Sequence, residues 1–209
     1  TSSTLNVSAD RTMNGYKYSV KVSGDCTPSI TSDTAVLTVN NLPEINIQPQ
    51  PVTICSGEDA VFTVDPGLTS TASIEWYVNT GSGWNLAIGA RYQGTFNDTL
   101  TVVSVTESMS GYQFKAKVSG VCDPFIESDE VTLTVTRQAE IITYPVSVNI
   151  CEGEAATFSV DAGLTTGPSY QWQILNGSLW EDIIGENNSS LVIPSVTSAM
   201  NGNNYRIIV

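Results

Sequence analysis

Four cysteines are the residues whose type and spacing could do chemistry, and their spacing is periodic. Cys26 returns as Cys122 and Cys55 as Cys151, both at an offset of 96 residues. Thiols at fixed repeat positions point to structural cross-linking in an oxidising compartment rather than to redox catalysis. Other chemistry finds little support. The chain has no histidine, so it offers neither a Ser-His-Asp nor a Cys-His arrangement and no His-bearing zinc site. Asp65 and Asp161 recur in matching Asp-Pro-Gly and Asp-Ala-Gly segments, where turn capping explains them better than a glycosidase pair does. Glu58, Asp59, Glu152 and Glu154 crowd two equivalent turns; they read as solvated acidic turns, with calcium at a domain junction as the sharper alternative. Trp84 and Trp180 raise sugar binding, yet their recurrence inside one hairpin favours packing. The expectation is a non-enzyme with no catalytic, cofactor-binding or metal residues.

Charge narrows the partners. Eight Lys+Arg against 21 Asp+Glu give a formal net charge of −13, a sign that repels phosphate backbones and anionic lipid. Nucleic acid is therefore a poor partner, and no apolar run approaches the roughly 18–20 residues that would insert in a membrane. Five of the eight positive charges, Lys17, Lys21, Lys115, Lys117 and Arg206, fall on the outward face of one strand type. They form a candidate chain-contact stripe on an acidic molecule, able to dock on a neighbouring copy. The plainer reading is cross-strand pairing, with Glu75 opposite Lys115 or Lys117.

The elements that carry these residues are strands. Ala60-Val61-Phe62-Thr63-Val64-Asp65, Ile74-Glu75-Trp76-Tyr77-Val78-Asn79 and Val131-Thr132-Leu133-Thr134-Val135 alternate, and Tyr112 to Val118 does the same. Turn clusters such as Asp65-Pro66-Gly67 and Asn79-Thr80-Gly81-Ser82-Gly83 separate them. Seven or more short strands in fewer than 100 residues predict an all-β, two-sheet antiparallel sandwich, and Trp76 sits where an immunoglobulin-like sandwich keeps its core tryptophan. The inward set is expected to be Phe62, Val64, Ile74, Trp76, Leu100, Val102, Phe114, Ala116, Val118, Leu133 and Val135.

The 96-residue period extends to Met13 and Met109, Phe62 and Phe158, Trp76 and Trp172, and Trp84 and Trp180, which predicts tandem immunoglobulin-like domains. Lettered in the immunoglobulin manner, the complete repeat 43–137 runs A (44–54), B (60–65), C (73–79), C′ (84–88), E (99–103), F (111–118) and G (130–136); residues 1–42 supply the closing strands E to G of one repeat, and 138–209 strands A to F of a third. The two partial repeats predict a longer natural chain. Trp84 to Leu100 spans 16 positions but Trp180 to Leu191 only 11, so the region around Arg91-Tyr92-Gln93-Gly94 is a variable edge loop.

In this topology Cys55 lies before strand B and Cys122 after strand F, at opposite poles about 25 Å apart. A disulfide requires a Cα separation of roughly 4.4–6.8 Å. Three outcomes stand open: a staple from Cys55 to the counterpart of Cys122 in the next repeat, an intradomain Cys55–Cys122 pair that would displace the strand assignment, and thiols left unbridged.

Ile54-Cys55-Ser56-Gly57-Glu58, Trp76 to Trp84, Tyr92-Gln93-Gly94-Thr95, Met109-Ser110-Gly111-Tyr112-Gln113-Phe114 and Val118-Ser119-Gly120-Val121-Cys122 resemble the immunoglobulin-like repeats of very large secreted Bacteroidetes surface proteins, the class of gliding-motility adhesins and type IX secretion cargo. The resemblance implies an extracellular, cell-surface structural repeat of a long adhesin or filament. Its expected partners are further copies of itself and adjacent repeats of the same chain, with cell-surface or glycan ligands beyond them. Lateral assembly into a multi-chain appendage for attachment or prey capture would follow. It also implies O-glycosylation at Thr34 and Thr99, within Asp33-Thr34-Ala35 and Asp98-Thr99-Leu100. The alternative function is a carbohydrate-binding module string of a secreted polysaccharide-degrading enzyme.

Overall fold

A computed structural model describes residues 2–209. The first repeat contributes a 3-10 turn at Arg11–Met13 and strands β1 (Lys17–Tyr18), β2 (Lys21–Val22), β3 (Ile30–Thr31) and β4 (Ala35–Val36). The middle repeat contributes β5 (Val52–Cys55), β6 (Ala60–Thr63), β7 (Ser73–Asn79), β8 (Trp84–Leu86), β9 (Tyr92–Gln93), β10 (Thr99–Val102), β11 (Gln113–Ser119), β12 (Ile126–Glu127) and β13 (Val131–Thr136). The third contributes β14 (Ala156–Ser159), β15 (Gln171–Asn176), β16 (Leu179–Asp182), β17 (Ser190–Ile193) and β18 (Tyr205–Ile208). By internal contacts the chain divides into two compact units. The first holds the chain up to Val52 with Glu58–Val105 and Gly111–Thr134; the second holds Thr53–Gly57, Thr106–Ser110 and Val135–Val209.

In the middle repeat one sheet runs β6-β10-β9, and the other runs β5-β13-β11-β7-β8 with β12 also on β11. Period-two alternation sets the register, because a slip by one residue would turn every apolar side chain outward. The whole expected inward set, from Phe62 to Val135, is buried. Val61, Thr63 and Thr132 are exposed, and Glu75, Tyr77, Gln113, Lys115 and Lys117 are half-exposed. Phe62 stacks on Phe114 at 4.6 Å and tilts against Trp76 at 6.4 Å, so aromatic side chains join the two sheets at the centre of the core.

Ser128 explains why the last strand is broken in two. Its Oγ accepts from Ala116 N at 2.9 Å and donates to Asp129 O, taking the place of a strand partner between β12 and β13. Ser32 does the same with Val20 N at 3.0 Å and Asp33 O, and it separates β3 from β4. A short hydroxyl that satisfies a backbone N–H lets the strand swing without leaving a buried donor unpaired.

The third repeat keeps the core but loses an edge. Phe158 meets Trp172 at 6.4 Å with an interplanar angle of 47°, against 46° for the Phe62–Trp76 pair. Ala87 N donates to Trp76 O and Ile183 N to Trp172 O, while Trp76 N donates to Thr95 O and Trp172 N to Glu186 O, which places the five missing residues between Ala87 and Thr95. That segment contains β9, and the corresponding sheet in the third repeat is the two-stranded β14-β17. β18 pairs with β15, and an open groove lined by Val148, Phe158 and Tyr205 lies beside it. In the first repeat Leu5, Val20, Val22 and Val36 are exposed.

Candidate functional site

Two arrangements of side chains recur from repeat to repeat. The first lies on the outer face of β7, β8 and β11. Register sets Lys117 opposite Glu75, and Lys117 Nζ reaches Glu75 Oε2 at 3.0 Å while lying 4.8 Å above the Phe125 ring. Lys115 Nζ bridges to Glu127 Oε2 at 2.7 Å and lies 4.7 Å above the Trp84 ring. In the third repeat Arg206 sits 4.5 Å above the Trp180 ring and donates from Nε to Gln173 Oε1 at 2.6 Å. Each cation therefore lies along its own sheet, with its charge set against a carboxylate, an amide oxygen or an aromatic face. The Lys117 hydrogen bond holds the Glu75 carboxyl below its ordinary value, and the same bond raises Lys117. Lys17 and Lys21 are exposed on β1 and β2. Trp84 and Trp180 are half-exposed, each beneath one of these cations.

The second arrangement is a clasp at the start of each repeat. Asn41 N donates to Ser70 Oγ at 2.8 Å, and Glu44 N donates to Thr69 Oγ1 at 2.9 Å. Arg137 N donates to Thr166 Oγ1 and Glu140 N to Thr165 Oγ1, both at 3.0 Å, and all of these residues are 96 positions on. The Thr69 hydroxyl in turn donates to Pro66 O and the Thr165 hydroxyl to Ala162 O, each at 2.6 Å. Gly67 and Gly163, both in left-handed backbone, bring the turn against the side chains of Glu44 and Glu140. An ion pair reaches each clasp from the 3-10 turn of the repeat before. Arg11 meets Glu44 at 3.9 Å; Glu107, at the position of Arg11, meets Arg137. The polarity is reversed while the pairing is kept.

The acidic turns are occupied by backbone. Asp59 Oδ1 accepts from Ser104 N at 2.7 Å, Glu152 Oε1 from Ser198 N and Glu154 Oε2 from Cys151 N. Among the described residues no cluster of three or more Asp, Glu, Cys or His side chains could hold a metal ion. Asp65 and Asp161 cap their turns through Gly67 N and Gly163 N. Thr34 is exposed; Thr99, half-exposed on β10, donates to Asp98 Oδ1. Cys26 and Cys151 are exposed, and Cys55 and Cys122 are partly buried. Among the described residues no helix is long and apolar enough to cross a membrane.

The clasps were missed in the sequence, although Glu44 and Glu140, Thr69 and Thr165, and Ser70 and Thr166 recur there at the shared period. That recurrence was the available signal.

The fold class is tandem immunoglobulin-like β-sandwich domains. The chain is similar to an I-band fragment of titin, with TM-score 0.55 and 16% identity over 81% of this chain and 65% of that one. Extracellular domains 3–5 of Drosophila OTK match with TM-score 0.52 and 16% identity over 91% of this chain and 68% of that one. In sequence, 172 residues are 31% identical to Endoglucanase C of Cellulomonas fimi; they cover 81% of this chain and 15% of that protein's length. No family model matches.

Proposed function

We propose that this chain is a structural segment of a long extracellular protein, in which the immunoglobulin-like repeats supply reach and fixed spacing rather than chemistry. The observation that carries this reading is the clasp, which anchors the linker in the same way at two successive repeat starts. A linker tied down at two backbone positions has little of the freedom of a flexible tether. The wider setting is the surface adhesin or filament implied by the resemblance to secreted Bacteroidetes repeats, at the cell surface, with neighbouring copies as lateral partners. Thr34, being exposed, is the better placed of the two O-glycosylation candidates.

A second reading has a specific observation behind it. Similarity to part of an endoglucanase supports a repeat string attached to a secreted polysaccharide-degrading enzyme. Glycan-binding modules present open aromatic faces, whereas Trp84 and Trp180 each have a cation over the ring. The spacer role is therefore favoured in either setting.

Retention on insoluble cellulose and other polysaccharides tests the choice. The spacer reading expects the protein to elute in the void. Retention that Trp84→Ala or Trp180→Ala abolishes would replace it with a carbohydrate-binding module.

A further inference from the structure

Cys122 and Cys55 address the same point of the repeat from opposite sides. The Cys122 thiol donates to Asn40 O at 3.8 Å, at the start of its repeat. Cys55 Sγ accepts from Thr136 Oγ1, also at 3.8 Å, at the end of its repeat. Asn40 and Thr136 are equivalent positions, 96 residues apart, and each is followed by a clasp. The counterpart of Cys122 in a following repeat would therefore lie at Thr136, where Cys55 already is. The residues around Thr136 are held as well: Gln138 Nε2 donates to Ser56 O at 3.4 Å, and Arg137 pairs with Glu107. An intradomain partner is disfavoured by the same placement, since the two sulfurs of one repeat sit at residues 40 and 136.

We infer that successive repeats are covalently stapled across their junctions, the cysteine at position 55 or 151 of one repeat bonding to the cysteine equivalent to 26 or 122 in the next. The staple runs out of phase with the domains, so that no disulfide closes within a sandwich. Formation follows ordinary thiol–disulfide exchange. A Cys55 thiolate attacks a disulfide oxidant such as oxidised glutathione, giving a mixed disulfide and one glutathione thiolate. The second cysteine then displaces the other glutathione. Two protein thiols lose two electrons and two protons, and the oxidant leaves as two thiols. Clasped backbone on both sides makes the encounter intramolecular, which favours ring closure over bonding to other molecules.

The test is a chain extended after Val209, which stands where Val118 stands in the middle repeat, by a second copy of its own residues 119–137. This completes the third repeat in register and adds one cysteine equivalent to Cys122. After oxidation with oxidised glutathione and digestion without reductant, the expected product is a peptide joining Cys55 to the added cysteine, with alkylation lost at both. Cys55→Ser should abolish the product and Cys122→Ser should leave it unchanged. A Cys55–Cys122 peptide, or full alkylation of Cys55 after oxidation, would overturn the proposal. Two variants of the chain as it stands keep the geometry testable if the added segment does not fold. Asn40→Cys should bridge to Cys122, and Thr136→Cys should bridge to Cys55. Failure of either to lose alkylation in the folded chain would overturn it equally.

Discussion

Trp172 Nε1 donates to Asn188 O at 3.0 Å across 16 residues of chain. Trp76 Nε1 makes the equivalent bond to Asn97 O at 2.9 Å across 21. The third repeat has lost five residues between the two partners and kept the bond. Each indole is fully buried, so its N–H has to find an acceptor inside the sandwich, and the loop is held to whatever length still supplies one. Trp76→Phe keeps most of the apolar volume but removes the donor. The expected loss is about 2–3 kcal/mol from the buried hydrogen bond and the incomplete fill. Urea denaturation of the variant measures it, and a change below about 0.5 kcal/mol would show that the bond does not secure the loop.

Gly94 and Gly185 test how tightly that loop is set. Both have left-handed backbone, with φ of 80° and 87°. A Cβ on Gly94 would lie 2.1 Å from Thr99 O, whereas one on Gly185 meets nothing within 4 Å. Gly185→Ala should cost only the conformational strain, about 1–2 kcal/mol, and Gly94→Ala clearly more. Thermal unfolding of the two variants gives the comparison; equal losses would contradict the steric account.

Acid should weaken the fold through named carboxylates. Hydrogen bonds from Asn46 and the Gly67 N–H lower Asp65, and Lys117 lowers Glu75. With folded values below unfolded ones, the unfolded chain binds more protons as pH falls through this window. The stabilisation is present above the ordinary carboxylate values of about 4 and is lost as the pH drops through the lower, folded values. Asn46→Ala should raise the Asp65 value and flatten part of that acid slope. Stability measured against pH, with NMR titration of Asp65, checks both statements.

Lys117 and Glu75 should contribute little to stability despite their 3.0 Å approach. A double-mutant cycle with Lys117→Met and Glu75→Gln is expected to return about 0–1 kcal/mol, because both side chains are half-exposed and water screens the pair. The coupling should shrink further in 1 M salt, where the screening length is about 3 Å. A coupling well above 1 kcal/mol that ignores salt would mean the pair is effectively desolvated.

The strands and their faces were legible because burial repeats every two residues, as in Phe62-Thr63-Val64 and Phe114-Lys115-Ala116. The Lys117–Glu75 pair was legible for the same reason, as neighbours on the outward faces of adjacent strands. What the pattern could not carry was anything returned by a loop. Glu127 and Phe125 reach Lys115 and Lys117 only because the chain turns back at β12, and Ser128 ends that hairpin through one hydroxyl. The clasps depend on side chains meeting backbone at separations of 25 and 29 residues, a kind of contact that hydrophobic periodicity does not record.

The four tryptophans fall into two optical classes. Trp76 and Trp172 are sealed in the cores, whereas Trp84 and Trp180 are half-exposed beneath a cation. Emission from the buried pair reports the dry interior and shifts to longer wavelength only when a sandwich opens. The surface pair is open to iodide, an anionic quencher that the overlying Lys115 or Arg206 would attract locally. Each of these two repeats thus contains an interior fluorophore and a surface one, so that quenching and spectral shift can distinguish a ligand touching the sheet from a core coming apart.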